Sequence, residues 1–201
     1  MNLQRSAARR PATYQDVLDA PPHMVAEIIR GALHLQPRPA SPHAFAGSSL
    51  GMEIGGAYQK GRGGPGGWWI VDEPEIHLGE DILVPDLAGW RRESMPRFPR
   101  VPYFTQSPDW VCEILSPSTR NRDRIDKREI YGEHGVRWMW LVDPEDRTLE
   151  AVERRAEGWL LLRVLDGDAE VRLPPFDAIG FPLTALWPDD EEASGDEPGD
   201  G

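Results

Sequence analysis

The sequence predicts a single α/β domain of mixed strands and helices, and three observations carry that expectation. A strand, turn and helix unit occupies residues 108–131, PDWVCEILSPSTRNRDRIDKREIY. Hairpin patterns stand on either side of it, at residues 24–35 and 148–165. The 201 residues also include 20 glycines and 20 prolines, a density of turn formers that divides the chain into several short strands. A chain of this length buries a real core, and no second domain is needed.

Residues 1–12 read as a flexible basic arm, residues 13–187 as the single domain and residues 188–201 as a disordered acidic tail. Thr13, with Asp16 three residues on, resembles a capping box and opens a short helix that Pro21-Pro22 ends. Residues 24–35 form a hairpin turning at Arg30-Gly31. Its first strand carries Glu27 between apolar neighbours, and the simplest reading puts that carboxylate at an edge, facing solvent. Ser41 is the expected N-cap and Pro42 the first position of a helix running to Gln59. Phe45, Leu50, Ile54, Ala57 and Tyr58 supply its apolar stripe. The GRGGPGG segment at 61–67 is a loop without the Lys-Ser/Thr ending of a phosphate-binding loop.

Short strands follow at 68–71, 75–78, 82–84 and 87–90, the last two separated by Pro85-Asp86. A proline-led bend between apolar runs suits presentation of Asp86 at a cleft, although an Asp turn onto its own backbone is the structural alternative. Residues 110–115 form a buried strand with Glu113 in its middle. A carboxylate there is costly unless a cation, a donor or water meets it. In a helix over residues 122–134, Asp123, Lys127 and Tyr131 stand at i, i+4 and i+8 and share one face. That face either turns toward Glu113 or carries an ordinary surface ion pair contributing at most ~0.5 kcal/mol. Gly135 ends the helix, residues 136–143 form a strand, and residues 148–165 fold as the second hairpin. Residues 169–187 supply a short strand and an apolar coil.

Six of the eight tryptophans, at 68, 69, 90, 110, 138 and 140, sit inside apolar runs and are expected in the core. Cys112 is the only cysteine, which rules out internal disulfides and cysteine-based zinc sites and fits a reducing compartment. The first residues have no apolar signal region, and no run reaches the length of a membrane span, so a soluble, cytoplasmic protein with no membrane association is expected. The net charge of -12 opposes polyanion binding, but seven acids and no basic residue fall in the last thirteen positions. The body is therefore only mildly acidic. It carries Arg91, Arg92, Arg97 and Arg100 after Trp90, and Arg120, Arg122, Arg124, Lys127 and Arg128 beside Glu113, as candidate phosphate contacts or a solvated charged face.

Asp86 and Glu113 with Lys127 make a candidate divalent-metal hydrolase site. Mg²⁺ accepts carboxylate oxygens, keeps several waters and shares positions with substrate phosphate. It also lowers the pKa of a bound water, while a lysine nearby stabilises developing oxyanion charge. The order Pro85-Asp86, CEILSPST at 112–119, then Asp123, Lys127, Tyr131 and GVRWMWLVDP at 135–144 resembles the Uma-two family of small bacterial restriction endonucleases, a branch of the PD-(D/E)XK nuclease superfamily. Glu27 followed by Gly31, and a helix opening near His43, fit the same pattern. The resemblance spans roughly residues 13–165.

That resemblance implies a restriction-endonuclease-like core, a central mixed sheet flanked by helices, here with extra N-terminal and C-terminal β-hairpins. It implies a Mg²⁺-dependent endonuclease, with Mn²⁺ as a substitute, that cleaves DNA through a metal-activated water. Asp86 and Glu113 would be metal ligands and catalytic groups, Lys127 the active-site lysine, and Glu27, Asp123 and Tyr131 supporting residues. Arg120, Arg122, Arg124 and Arg128 would contact phosphates. In the wider superfamily the lysine follows the acid by two residues on the same strand, whereas that position is Leu115 here, so Lys127 has to reach the site from its helix. Two other readings remain: a nuclease-like scaffold that no longer cuts and acts as a binding or regulatory dimer, and a metal enzyme for a small phosphodiester. A homodimer is the expected assembly, since symmetric pairs are the commonest.

Overall fold

The computed structural model describes residues 10–37 and 40–189. Most of the basic arm (residues 1–9) and of the acidic tail (residues 190–201) lies outside them. Of the arm's last residues, Arg10 pairs with Asp16 at 2.7 Å and the Ala12 N–H donates to the Gly31 carbonyl.

Three sheets make up the strand content of the described residues. The central one has six strands in the order β10-β9-β8-β7-β6-β3, comprising β3 (Trp68–Asp72), β6 (Leu87–Arg91), β7 (Trp110–Ile114), β8 (Trp138–Asp143), β9 (Thr148–Arg155) and β10 (Gly158–Leu165). It is a mixed sheet. β7 and β8 run parallel while their other neighbours run antiparallel. Parallel neighbours cannot be joined by a tight turn, and a helical crossover is the usual solution. Residues 120–133 provide it, as α3 (Arg120–Arg122), a π-helical turn (Asp123–Lys127) and α4 (Arg128–Glu133). Gly135, at φ 79°, takes the left-handed conformation that closes this segment, and the Val136 N–H donates back to the Tyr131 carbonyl.

A second sheet of four strands, β2-β1-β5-β4, contains the N-terminal hairpin of β1 (Met24–Ile29) and β2 (Ala32–Pro37), with β4 (Ile76–Leu78) and β5 (Asp81–Leu83). Arg30 and Gly31 both have positive φ, 52° and 76°, which is the type I′ geometry of a two-residue hairpin. The non-glycine member is held from several sides: the Arg30 N–H donates to Asp81 Oδ1 at 2.6 Å, and its guanidinium makes two 2.7 Å bonds to Glu133. These bonds tie the hairpin to the crossover helix. The smallest sheet pairs β11 (Glu170–Val171) with β12 (Phe181–Pro182).

The capping box at α1 (Tyr14–Leu18) forms as the sequence suggests, with the Thr13 N–H donating to Asp16 Oδ2. Helix α2 (Ser41–Ile54) continues through a π-helical turn, Gly55–Gln59, to the expected end. Its N-cap is Ala40 rather than Ser41, because the extended ψ of 161° falls at Ala40. Ser41 and Pro42 then both lie in the first turn, where a missing N–H costs no bond.

Successive side chains of a strand point to opposite faces. Trp110, Cys112 and Ile114 of β7 accordingly join Ala46, Leu50 and Ile54 of α2 and the C-terminal coil in one apolar cluster. Val111 and Leu115 join Ile29, Ile76, Leu83, Ile130 and Tyr131 in the other. Glu113 has the parity of Val111 and Leu115, so it faces the crossover helix and the four-stranded sheet. The expectation that the tryptophans belong to the core holds for Trp68, Trp90, Trp110, Trp138 and Trp140, with Trp69 packed partly buried against it.

Candidate active site

Asp123, Lys127 and Tyr131 do share a face, and that face turns inward onto β7. Lys127 is 1% exposed and Glu113 2%. Lys127 Nζ donates to Glu113 Oε2 at 2.9 Å, lies 2.9 Å from Glu27 Oε1 and 3.5 Å from Asp123 Oδ1. Tyr131 Oη donates to Glu113 Oε1 at 2.6 Å. The surface ion-pair alternative for Asp123 and Lys127 is thereby overturned: both are buried against Glu113.

Glu27 corrects a second expectation. It is 1% exposed rather than facing solvent. The hairpin strand β1 is flanked by β2 and β5, so it has no free edge. The Val84 N–H donates to Glu27 Oε1 at 2.8 Å, while Glu27 Oε2 is buried without a hydrogen-bond partner. Three carboxylates therefore converge on one ammonium. Burial opposes the charge on Lys127, but the carboxylates of Glu113 and Glu27 outweigh it and hold the amine's pKa well above its usual value. Burial pushes the Glu113 carboxyl up, Lys127 pulls it down, and Asp123, Asp86 and Glu27 push it up again, leaving it well above the carboxylate range. The Tyr131 phenol is raised by burial and by the Glu113 carboxylate.

Asp86 stands at the bend before β6, as its proline-led setting suggests. It accepts a 2.6 Å bond from the Ile114 N–H through Oδ2, which fixes it beside Glu113's strand. Its other oxygen, Oδ1, lies 3.4 Å from His43 Nε2. His43 sits in the first turn of α2, and nothing in the sequence beyond a histidine near a helix start marked it as Asp86's partner.

Asp86, Glu113, Asp123 and Lys127 all line one cleft of about 350 Å³. Gln36 and Pro37 of β2, His43, and the Ser116 to Thr119 loop after β7 form much of its wall. No local pattern in the sequence marks those serine and threonine hydroxyls as site residues; Ser116 Oγ lies 3.0 Å from both Ser118 Oγ and Thr119 Oγ1. The four arginines of the crossover segment are differently placed. Arg120 pairs with Asp143 at 2.8 Å, with Glu145 at 3.4 Å and with Asp146 at 3.6 Å. Arg124 pairs with Glu150 at 2.7 Å, and Arg122 donates to Gln36 Oε1 at 3.3 Å. Arg128 is half-buried, and its carbonyl accepts from Trp159 Nε1.

Burial raises the Asp86 carboxyl to about 6, against the lowering effects of His43, the Ile114 N–H and Lys127. An unfolded Asp titrates near ~3.9, so the native state holds the proton more tightly, and its stability falls as pH rises from ~4 to ~6 and then levels off. The full shift corresponds to ~3 kcal/mol, and because the side chain keeps 20% of its exposure, a loss of ~1–2 kcal/mol is the better expectation. Asp86→Asn retains an oxygen for the Ile114 N–H and removes the charge. In urea unfolding with chelator present, this variant should be more stable than the parent at pH 8 and equal to it near pH 4. Equal stability at both pH values would contradict the assignment.

Comparison with known proteins gives two findings. A family model, Uma2, described as "Putative restriction endonuclease", matches residues 11–185. Five solved chains match, among them a putative nuclease belonging to DUF820 from Anabaena variabilis. That chain is 25% identical, the match covers 88% of this chain and 97% of that one, and the TM-score is 0.71. No curated protein matches.

Proposed function

Because this chain belongs to the Uma2 family of putative restriction endonucleases and has a restriction-endonuclease-like fold, we propose that it is a metal-dependent endonuclease hydrolysing DNA phosphodiester bonds. The observation that carries the proposal is the convergence of Asp86, Glu113 and Lys127 on one cleft, with Lys127 Nζ 2.9 Å from Glu113 although it comes from a helix. Position 115 is a leucine, and the ammonium of Lys127 reaches the acid from the helix instead, which supports the cutting reading over that of a scaffold that no longer cuts.

The donor set fits a hard divalent cation. Its available ligands are carboxylate oxygens: Asp86 and Glu113 line the same cleft, and Glu27 and Asp123 lie with Glu113 around Lys127. Among the described residues, no group of three or more His, Cys, Asp or Glu side chains forms a metal cage by itself. Mg²⁺ does not require one; it is typically held by one or two carboxylates, several waters and substrate phosphate. Asp86 and Glu113 would hold it, and when bound it supplies a water of lowered pKa and stabilisation of charge at phosphorus.

The chain's own residues perform the rest. The Ile114 N–H fixes the rotation of the Asp86 carboxylate, and Tyr131 with Lys127 fixes that of Glu113, so both acids are preorganised. The Lys127 ammonium is held charged by Glu113 and Glu27 and adds positive charge where the phosphoryl oxygens gain negative charge. Water attack forms one P–O bond and breaks another, and the departing oxygen takes up a proton. The test is cleavage of DNA by purified protein with Mg²⁺ or Mn²⁺, which chelator should stop. Cleavage that persists in chelator would overturn the metal requirement, and no cleavage with either metal would favour the non-cutting scaffold.

A further inference from the structure

We propose that β10 and the adjoining flank of the crossover segment form a dimer interface, occupied by a second copy of this chain related by a two-fold axis. The inference goes beyond the nuclease reading and stands whether or not the cleft cuts DNA.

The first argument is an apolar margin left open. β10 is the outermost strand of the six-stranded sheet, and among the described residues no strand pairs with its far edge. It carries Leu160, Leu161 and Val164 at 49%, 52% and 53% exposed. Leu161 stands opposite Val152 and Val164 opposite Glu150. Both therefore share the face that the crossover segment covers, since Val152 belongs to the cluster of Ile130 and Tyr131, and Glu150 takes the Arg124 guanidinium at 2.7 Å. The Arg128 carbonyl accepts from Trp159 Nε1, which fixes the segment alongside β10. Ile125, between those two arginines, is 55% exposed. Ile125, Leu161 and Val164 thus lie along one margin of the molecule, and aliphatic surface gathered in this way marks an interaction site where scattered single residues would not.

The second argument is charge, and it selects the occupant. At the turn into β10, Arg137, Arg154 and Arg155 outnumber Glu153 and Glu157. Glu153 already holds both Arg137 and Arg155, while the Arg154 guanidinium meets only the Arg155 carbonyl among the described residues. At the far end Asp166 and Asp168 are exposed, make no ion pair among the described residues, and outnumber Arg163. The strand is basic at its start and acidic at its end. Two copies running side by side in opposite directions place the basic end of each beside the acidic end of the other, twice over, whereas the same direction would set like charges together. The chain's own last twelve residues are a poor occupant, because they contain no aromatic or branched aliphatic side chain to cover the margin.

The bulge between Leu161 and Arg163, and the charge of Arg163 itself, guard the edge against open-ended pairing. A two-fold contact is closed, and it needs side-chain packing along the margin rather than an uninterrupted backbone ladder. With the copies antiparallel, the same sheet face stays on one side of the dimer. The two crossover segments, each carrying Lys127, then lie next to each other across the axis.

Sedimentation velocity on the full chain from ~1 to ~100 µM measures the assembly, and the expected result is a dimer whose fraction rises with concentration. Leu161→Glu should raise the dissociation constant at least about tenfold. Charge reversal supplies a second arm that reports direction. Arg154→Glu in one preparation, and Asp166→Arg with Asp168→Arg in another, should each weaken the dimer. An equimolar mixture of the two should restore it, because every altered end then meets an altered end of opposite sign and every native end a native one. Restoration also shows that both variants are folded. A parent protein that stays monomeric over the whole range overturns the proposal. A dimer that persists unweakened in the variants, or charge variants that remain apart when mixed, overturns it as well.

Discussion

Lys127→Met is expected to destabilise the protein by about 3–5 kcal/mol at pH 8, the loss that follows when one partner of a buried charge cluster is removed. The ammonium has three carboxylate neighbours within 3.5 Å and is shut off from water. Without it, Glu27, Glu113 and Asp123 face one another in a medium that screens them poorly. Methionine fills much the same volume, so the loss reports charge rather than a cavity. The carboxyl groups would respond by taking up protons, which fixes the sign of the pH dependence. Burial already holds the Glu113 carboxyl well above its unfolded value, and loss of the ammonium raises it further, so the variant regains stability as pH falls from 8 toward 5. Urea unfolding at both pH values measures it. A variant as stable as the parent at pH 8 would show that Lys127 does not balance the charge of this cluster.

Glu113→Gln is expected to reduce cleavage on the order of 10³-fold while leaving the fold intact. The amide replaces one acceptor by a donor, and Lys127 and Tyr131 both donate to Glu113, so one of the two bonds is lost. Lys127 still has Glu27 and Asp123. A stability change of about 1–2 kcal/mol in either direction follows, because the lost hydrogen bond is offset by removal of a buried carboxyl among like charges. Circular dichroism and urea unfolding establish that the variant is folded, and the cleavage rate then isolates the chemical role. Retention of parental activity in a folded variant would remove Glu113 from the mechanism.

Local signals in the sequence predicted much of this architecture. The i, i+4, i+8 spacing of Asp123, Lys127 and Tyr131 correctly placed them on one helical face. The capping box, the Arg30-Gly31 turn and the Gly135 stop are equally local, and each forms as expected. What could not be read locally was depth. Whether an acid in an apolar strand faces water depends on what covers it, and Glu27 is covered by a lysine 100 positions later in the chain, delivered by the crossover between β7 and β8.

The arginines show the same limit from the other direction. A run of basic residues next to a candidate nuclease site suggests phosphate contacts. The partners that Arg120 and Arg124 meet lie in the segment from Asp143 to Glu150, where β8 turns into β9 beside the helix start. Those acids are spread among turn residues and two strands, and only the sheet order brings them to the arginines. The Ile114 N–H bond to Asp86, between residues 28 positions apart, is likewise a product of packing and not of any local pattern.

Mg²⁺ and Mn²⁺ titrated into the purified protein by calorimetry, beside Asp86→Asn and Glu113→Gln, test the central claim most directly. The account predicts saturable binding to the parent protein and its loss in both variants, each shown to be folded, because the two carboxylates are assigned to one shared metal. Binding that survives in both variants would place the metal elsewhere. No binding by the parent, even with DNA present, would contradict a metal-dependent site in this cleft.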